Sequence, residues 1–141
     1  MTAPACLPLE ITIASDLNEA RRVQAEIETA LRDVQFTDHD IFAIKLALEE
    51  ALVNAIKHGN RLDRAKAVRV AYRVTADRFD VQITDEGPGF DPADVPDPTA
   101  PENLERPCGR GLLLMRHYMT EVTYADRGRA VSMAKVRNGT G

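Results

Sequence analysis

The chain has 141 residues, 44% hydrophobic and 28% charged, with a formal net charge of −4, the profile of an ordinary globular protein. Its length suits one domain, residues 1–141, with a core that needs no disulfide or metal, and the mild acidity argues against direct binding of nucleic acid. No apolar run approaches a membrane span, and the start MTAPACLPLE lacks the basic and long apolar regions of a signal peptide, so the expectation is a cytoplasmic protein with no membrane partner. Cys6 and Cys108 read as free thiols, and no Cys/His cluster has zinc spacing.

In chain order, LEITIA sets Leu9, Ile11 and Ile13 on one face of an edge-type strand. Ser15-Asp16 then caps a helix, with Glu19 placed as in a capping box and Leu17, Ala20, Val23, Gln24, Ile27 and Leu31 in helical period. A second helix runs from about Asp40 to His58, capped by Thr37 or Asp38 and stopped by Gly59-Asn60. Val68, Val70, Tyr72 and Val74 alternate with polar neighbours, as do Phe79, Val81 and Ile83, and the turn at 75–78 makes the pair a hairpin. Five of the eight prolines fall between Asp91 and Pro107, which reads as a loop, and Gly109-Arg110-Gly111 opens a helix to about Thr120. Strands at 122–125 and 130–136 close the chain. One apolar face per strand and one apolar stripe per helix give an α+β, two-layer α/β sandwich, a mixed sheet with helices packed on one face.

Three segments carry chemistry. In LEEALVNAIKHGN, Glu50, Asn54 and Lys57 fall on one helical face, opposite the apolar stripe of Ile41, Ile44, Leu48, Leu52 and Ile56. A carboxylate, an amide and an ammonium aimed one way from a rigid element suit a Mg-phosphate site, although a solvated helix face has the same look. Asp85-Glu86-Gly87-Pro88-Gly89 follows the second hairpin strand, with Asp85 continuing its inward set. Without Cβ atoms, Gly87 and Gly89 allow a flat ring close to the backbone, and Asp85 can accept a hydrogen bond from an exocyclic amine; a plain Asp-x-Gly turn is the other reading. Gly109 and Gly111 precede a helix N-terminus, which suits phosphate.

Taken together, Glu50-x-x-x-Asn54, Asp85-x-Gly-x-Gly and Gly109-x-Gly111-Leu112 resemble the N, G1 and G2 boxes of the GHKL ATPase superfamily, and the N-terminal strand and helix fit its small anti-sigma-factor serine/threonine kinases. The resemblance implies a Bergerat/GHKL ATP-binding fold with a lid at about 91–108. It implies ATP and Mg²⁺ as cofactors, with Asn54 as the Mg²⁺ ligand, Asp85 on the adenine amino group and Glu50 as general base. Gly87, Gly89, Gly109 and Gly111 would shape the pocket, while Lys57 and Arg106 would offset phosphate charge, and Arg110 is open to the same role.

The implied function is an ATP-dependent serine/threonine protein kinase and anti-sigma factor. It would hold a sigma factor and phosphorylate an anti-anti-sigma antagonist in a partner-switching system, with Arg21 and Arg22 on the first helix as a partner surface. Two other readings stand beside it, a non-catalytic nucleotide-gated binding module and a detached histidine-kinase ATP-binding domain. Whether the protein acts as a homodimer is left open by the sequence. One departure concerns the last strand, where family members often carry a Thr beside the adenine after a glycine; here Gly128 is followed by Arg129-Ala130-Val131-Ser132. His39, His58 and His117 match no metal spacing.

Overall fold

The structure is a computed structural model that describes residues 9–87, 115–125 and 129–137. Strand β1 (Leu9–Ala14) leads into helices α1 (Leu17–Asp33) and α2 (Asp38–Val53), and α2 continues as a π-helical turn over Asn54–Gly59. Strands β2 (Ala67–Val74), β3 (Arg78–Thr84), β4 (Glu121–Ala125) and β5 (Ala130–Val136) follow, and residues 115–118 are helical. The five strands form one sheet in the order β1-β2-β3-β5-β4.

The two-layer arrangement is as the sequence implies, but the sheet is antiparallel at every described pairing rather than mixed. The cause lies in the connections. A single helix between adjacent strands returns the chain for parallel pairing, whereas β1 and β2 are joined by two helices, and the second reverses the chain once more. A short connection joins β2 to β3 with the same outcome.

Register then decides which residues meet. Ile13 pairs with Val68, Val70 with Ile83, Tyr72 with Val81, and Val81 with Met133, so one continuous apolar surface faces the helices. Against it pack Ala20, Val23, Ile27 and Leu31 of α1 and Ile41, Ile44, Leu48 and Leu52 of α2, all buried. Ile27, Leu31, Ile44, Leu48 and Leu52 retain no exposed surface. Helix α2 buries two adjoining faces, one on the sheet and one on α1, which is why Ala43, Ala47 and Ala51 are also inside.

The helix ends are satisfied locally. Asp16 caps α1 by accepting from the Asn18 amide at 2.8 Å, and Thr37 caps α2 by accepting from the Asp40 amide at 3.1 Å. The expected capping box does not close, because the Glu19 carboxylate pairs with Arg22 at 2.9 Å. At the far end of α1, Gln35 turns the chain through a left-handed φ of 63°. The carbonyls of Val34 and Gln35 there accept from the Arg137 guanidinium, which also donates to Ala76 and lies over the Phe36 ring. Asp40, wholly buried in the first turn of α2, lies 4.0 Å from Lys135 of β5 and ties that turn to the sheet. Among the described residues no helix is long and apolar enough to cross a membrane.

Across the layers, the Tyr72 hydroxyl on β2 donates to Glu26 of α1 at 2.7 Å. Burial, and then that bond to a carboxylate, push its pKa from 10.0 to about 12. The unfolded chain therefore loses the phenolic proton near pH 10 while the folded one keeps it to about pH 12. The group's contribution to stability is full below pH 10 and is lost as pH rises through about 12. Thermal melts of the wild type should fall across that window more steeply than those of Tyr72→Phe, and parallel curves would show that Tyr72 does not titrate as described.

Candidate functional site

At the end of α2 the helix widens. The expected single α-helix to His58 ends at Val53, and the π turn takes over to Gly59, closed by the Asn60 amide bonding the Ala55 carbonyl five residues back at 2.8 Å. Such turns insert a residue into the helical winding and recur at functional sites. Glu50 and Lys57 open on a cleft of about 240 Å³ between α1 and α2, shared with Leu17, Arg21, Gln24 and Val53, and Asn54 is not among its lining residues. Glu50 and Asn54 are half-exposed and Lys57 is exposed.

Beyond Asn60 the chain bends through Arg61 and Leu62, with φ of 53° and 61°. Two consecutive left-handed residues with side chains cost on the order of 1–2 kcal/mol each. They persist because the Leu62 amide bonds the Ile56 carbonyl at 2.7 Å and the Asp63 amide bonds Asn60 at 3.0 Å.

The turn after β3 meets this helix end at van der Waals limits. A Cβ on Gly59 would fall 2.5 Å from the Asp85 carboxylate, and one on Gly87 would fall 2.1 Å from the Gly59 carbonyl oxygen. Glycine at 87 lets the two backbones approach this closely, and glycine at 59 leaves room for the Asp85 carboxylate. Asp85, in step with the buried Phe79, Val81 and Ile83, is half-buried, and its Oδ1 accepts from the Gly87 amide at 2.8 Å. From the other side its own amide donates to the Arg129 carbonyl at 2.8 Å, while Arg129 Nε donates to the Gly87 carbonyl at 2.7 Å.

A side chain that sequence patterning passed over holds the third edge. Asn60, read as part of a helix stop, has no exposed surface, and its Oδ1 accepts from the Glu86 amide at 2.7 Å. Its Nδ2 donates to Ser15 Oγ at 2.8 Å and to the Ala67 carbonyl at 3.0 Å. Ser15 Oγ donates onward to the Lys66 carbonyl at 2.8 Å, and the Ala67 amide donates to Glu86 at 3.0 Å. No periodicity marks an Asn that follows a helix-ending Gly, so neither Asn60 nor the partners of Gly59 were legible beforehand.

The structure thus brings Asp85 and Gly87 against the end of the turn that carries Asn54 and Lys57. Gly89, Arg106, Gly109, Arg110, Gly111, Cys6, Cys108 and the lid expected at 91–108 lie outside the described residues. Ser132 pairs with Gln82 and Thr123 on the outer face of the sheet, away from Asp85. His39, His58 and His117 are exposed.

Comparison with known proteins gives one consistent result. Residues 13–135 match the family model described as the histidine kinase-like ATPase domain. The chain is 35% identical over 106 residues to a serine-protein kinase RsbW of Bacillus licheniformis, covering 70% of this chain and 66% of that protein. It is 32% identical over 100 residues to the serine/threonine-protein kinase BtrW of Bordetella bronchiseptica, covering 70% of each. It is also 32% identical to RsbW of Bacillus subtilis over 74% of this chain and 69% of that one. The chain spans about two thirds of the length of these relatives. A crystal structure of RsbU and RsbW domains from Mycobacterium tuberculosis superposes on 92% of this chain and 32% of that one, with a TM-score of 0.59 and 20% identity, a likeness of fold.

The two glycines predict different costs. The carboxylate facing Gly59 can swing aside, whereas the carbonyl facing Gly87 belongs to the backbone. Gly59→Ala should cost about 1–3 kcal/mol and Gly87→Ala more, read from urea denaturation. The reverse order would contradict this packing.

Proposed function

The chain belongs to the histidine kinase-like ATPase domain family, alongside serine- and serine/threonine-protein kinases, and from that premise we propose that it is an ATP-dependent serine/threonine protein kinase that also acts as an anti-sigma factor. In this reading it holds a sigma factor in the cytoplasm until an anti-anti-sigma protein competes. Phosphorylating that antagonist on Ser or Thr returns the sigma factor to its inhibitor. The observation that carries the reading is the contact of the Asp85 turn with Gly59, which joins a strand-end carboxylate to the helix bearing Glu50 and Asn54. The two rival readings, a non-catalytic module and a detached histidine-kinase domain, are not favoured, since the relatives are named serine- or serine/threonine-protein kinases and Glu50 stands in frame with Asn54.

The roles follow from chemistry. The Asp85 carboxylate can accept from adenine's amine, where guanine offers a carbonyl oxygen instead. Glu50, half-exposed one helical turn before Asn54, is the base that takes the proton of the acceptor hydroxyl as that oxygen attacks the γ-phosphorus and ADP leaves. Mg²⁺ accepts oxygen ligands beside phosphates and water, and the side chain of Asn54 suits it; when bound, the ion neutralises charge on the triphosphate. Lys57, Arg106, Gly109 and Gly111 serve the phosphates on the strength of the family likeness. On α1, Arg22 is paired with Glu19 while Arg21 donates to the neutral Asn18 amide, which makes Arg21 the better cation for an acidic partner.

Asp85→Asn keeps one acceptor but loses charge assistance, and Mg-ATP binding should weaken by about 1.5–3 kcal/mol in calorimetric titration. Unchanged affinity in the folded variant would remove Asp85 from the adenine site. Glu50→Gln should bind ATP within a few fold of wild type yet transfer phosphate to the antagonist about 10²–10⁴ times more slowly. Labelled ATP and the purified antagonist test this directly, and transfer at the wild-type rate would exclude Glu50 as the base.

A further inference from the structure

We infer that Asn60 is a positioning residue for nucleotide selection, acting through the Asp85 turn without touching the nucleotide; this rests on the adenine role given to Asp85 above. Three observations carry it. Every partner of the Asn60 amide is fixed by polarity: Oδ1 faces the Glu86 N–H, which requires an acceptor. Nδ2 faces the Ala67 carbonyl and a Ser15 hydroxyl whose own proton goes to the Lys66 carbonyl, and both require a donor. An amide meets these demands in one orientation only, and a carboxylate or a methyl group meets them in none.

The partners also come from three separate elements, the end of β1, the start of β2 and the turn after β3. Asn60 is therefore the buried point at which the Asp85 turn is referenced to the sheet edge. From the opposite side that turn is referenced to Arg129 by two further hydrogen bonds. With Glu86 pinned from one side and Asp85 and Gly87 from the other, the backbone that carries the carboxylate has no freedom to shift, the condition for telling an amine from a carbonyl. Finally, the π turn delivers Asn60 inward. Its closing bond, from the Asn60 amide to Ala55, skips one residue beyond the α pattern. That extra residue swings the side chain to the wholly buried position it occupies.

The test compares Mg-ATP, Mg-GTP and Mg-tripolyphosphate in calorimetric titrations of the wild type, Asn60→Ala, Ser15→Ala and Asp85→Asn, with folding checked by circular dichroism. In Asn60→Ala the Glu86 N–H loses its acceptor and the turn loosens, so ATP affinity should fall about tenfold or more. The ATP:GTP preference should fall by the same factor, while tripolyphosphate binding stays within about twofold, since the triphosphate is held elsewhere. Ser15→Ala leaves Asn60 its bonds to Ala67 and Glu86 and should give a smaller loss in the same direction. A folded Asn60→Ala that keeps its ATP:GTP ratio, or that loses all three ligands in proportion, would overturn the inference. Should Asn60→Ala fail to fold, an unchanged ratio in Ser15→Ala overturns it instead. If Asp85→Asn lowers the ratio and Asn60→Ala does not, only the positioning role fails; if Asp85→Asn keeps the ratio, the adenine reading fails first and takes this inference with it.

Discussion

The site depends on a contact with no side chain between its backbones. Where the π turn ends and the turn after β3 begins, Gly87 sits so close to the Gly59 carbonyl that even a methyl group could not be inserted. Close packing of backbone on backbone is stiff, because neither partner has a rotamer with which to yield. Everything assigned to nucleotide binding in the described residues is measured from this contact. Asp85 lies against Gly59 on one side of it, and Asn54 and Lys57 precede it along the helix.

The fold's task is to bring those two chain segments to the same end of the molecule. Two helices in succession send the chain from β1 back to β2 in antiparallel pairing, which leaves the end of α2 at the edge where β3 finishes. Register does the rest, since the buried row of Phe79, Val81 and Ile83 carries Asp85 onto the helix side. Elsewhere, Arg137 receives the open carbonyls after α1, and Asp40 and Lys135 tie α2 to β5. Those anchors keep the helix layer from sliding over the sheet, a movement that would separate Glu50 and Asn54 from Asp85.

Polar groups inside this end of the molecule are matched rather than merely tolerated. Among the described residues no buried side-chain nitrogen or oxygen lacks a hydrogen-bond partner. Ser15 and Asn60, both buried, share one another and the backbone of β2. A fully satisfied network fixes one arrangement, since any shift would orphan a group at a cost of about 1–3 kcal/mol. The left-handed pair Arg61 and Leu62 is held in place by the same over-determination.

Much of this was legible in the residues themselves. Alternation over 68–74 and 79–83 fixed a hairpin and sent Asp85 inward, and the apolar stripe of α2 fixed which of its faces turns to the core. These are local properties, set by side-chain periods of two and of about 3.6 residues. The motif spacing was local in the same sense, and it led to the family to which the chain belongs. What sequence period could not express was decided by contacts between segments remote along the chain. The helical period runs unbroken to His58, but the last turn is π-helical and ends at Asn60, whose buried partners lie 45 residues away at Ser15 and 26 at Glu86. The capping box gave way to the Glu19–Arg22 pair, and the mixed sheet became antiparallel because pairing follows the number of reversals between strands. By itself the sequence determined the elements, their inward faces and the family's motif residues. The tertiary structure decided what Gly59 and Asn60 are for, because close approach and buried polarity exist only after distant segments have met.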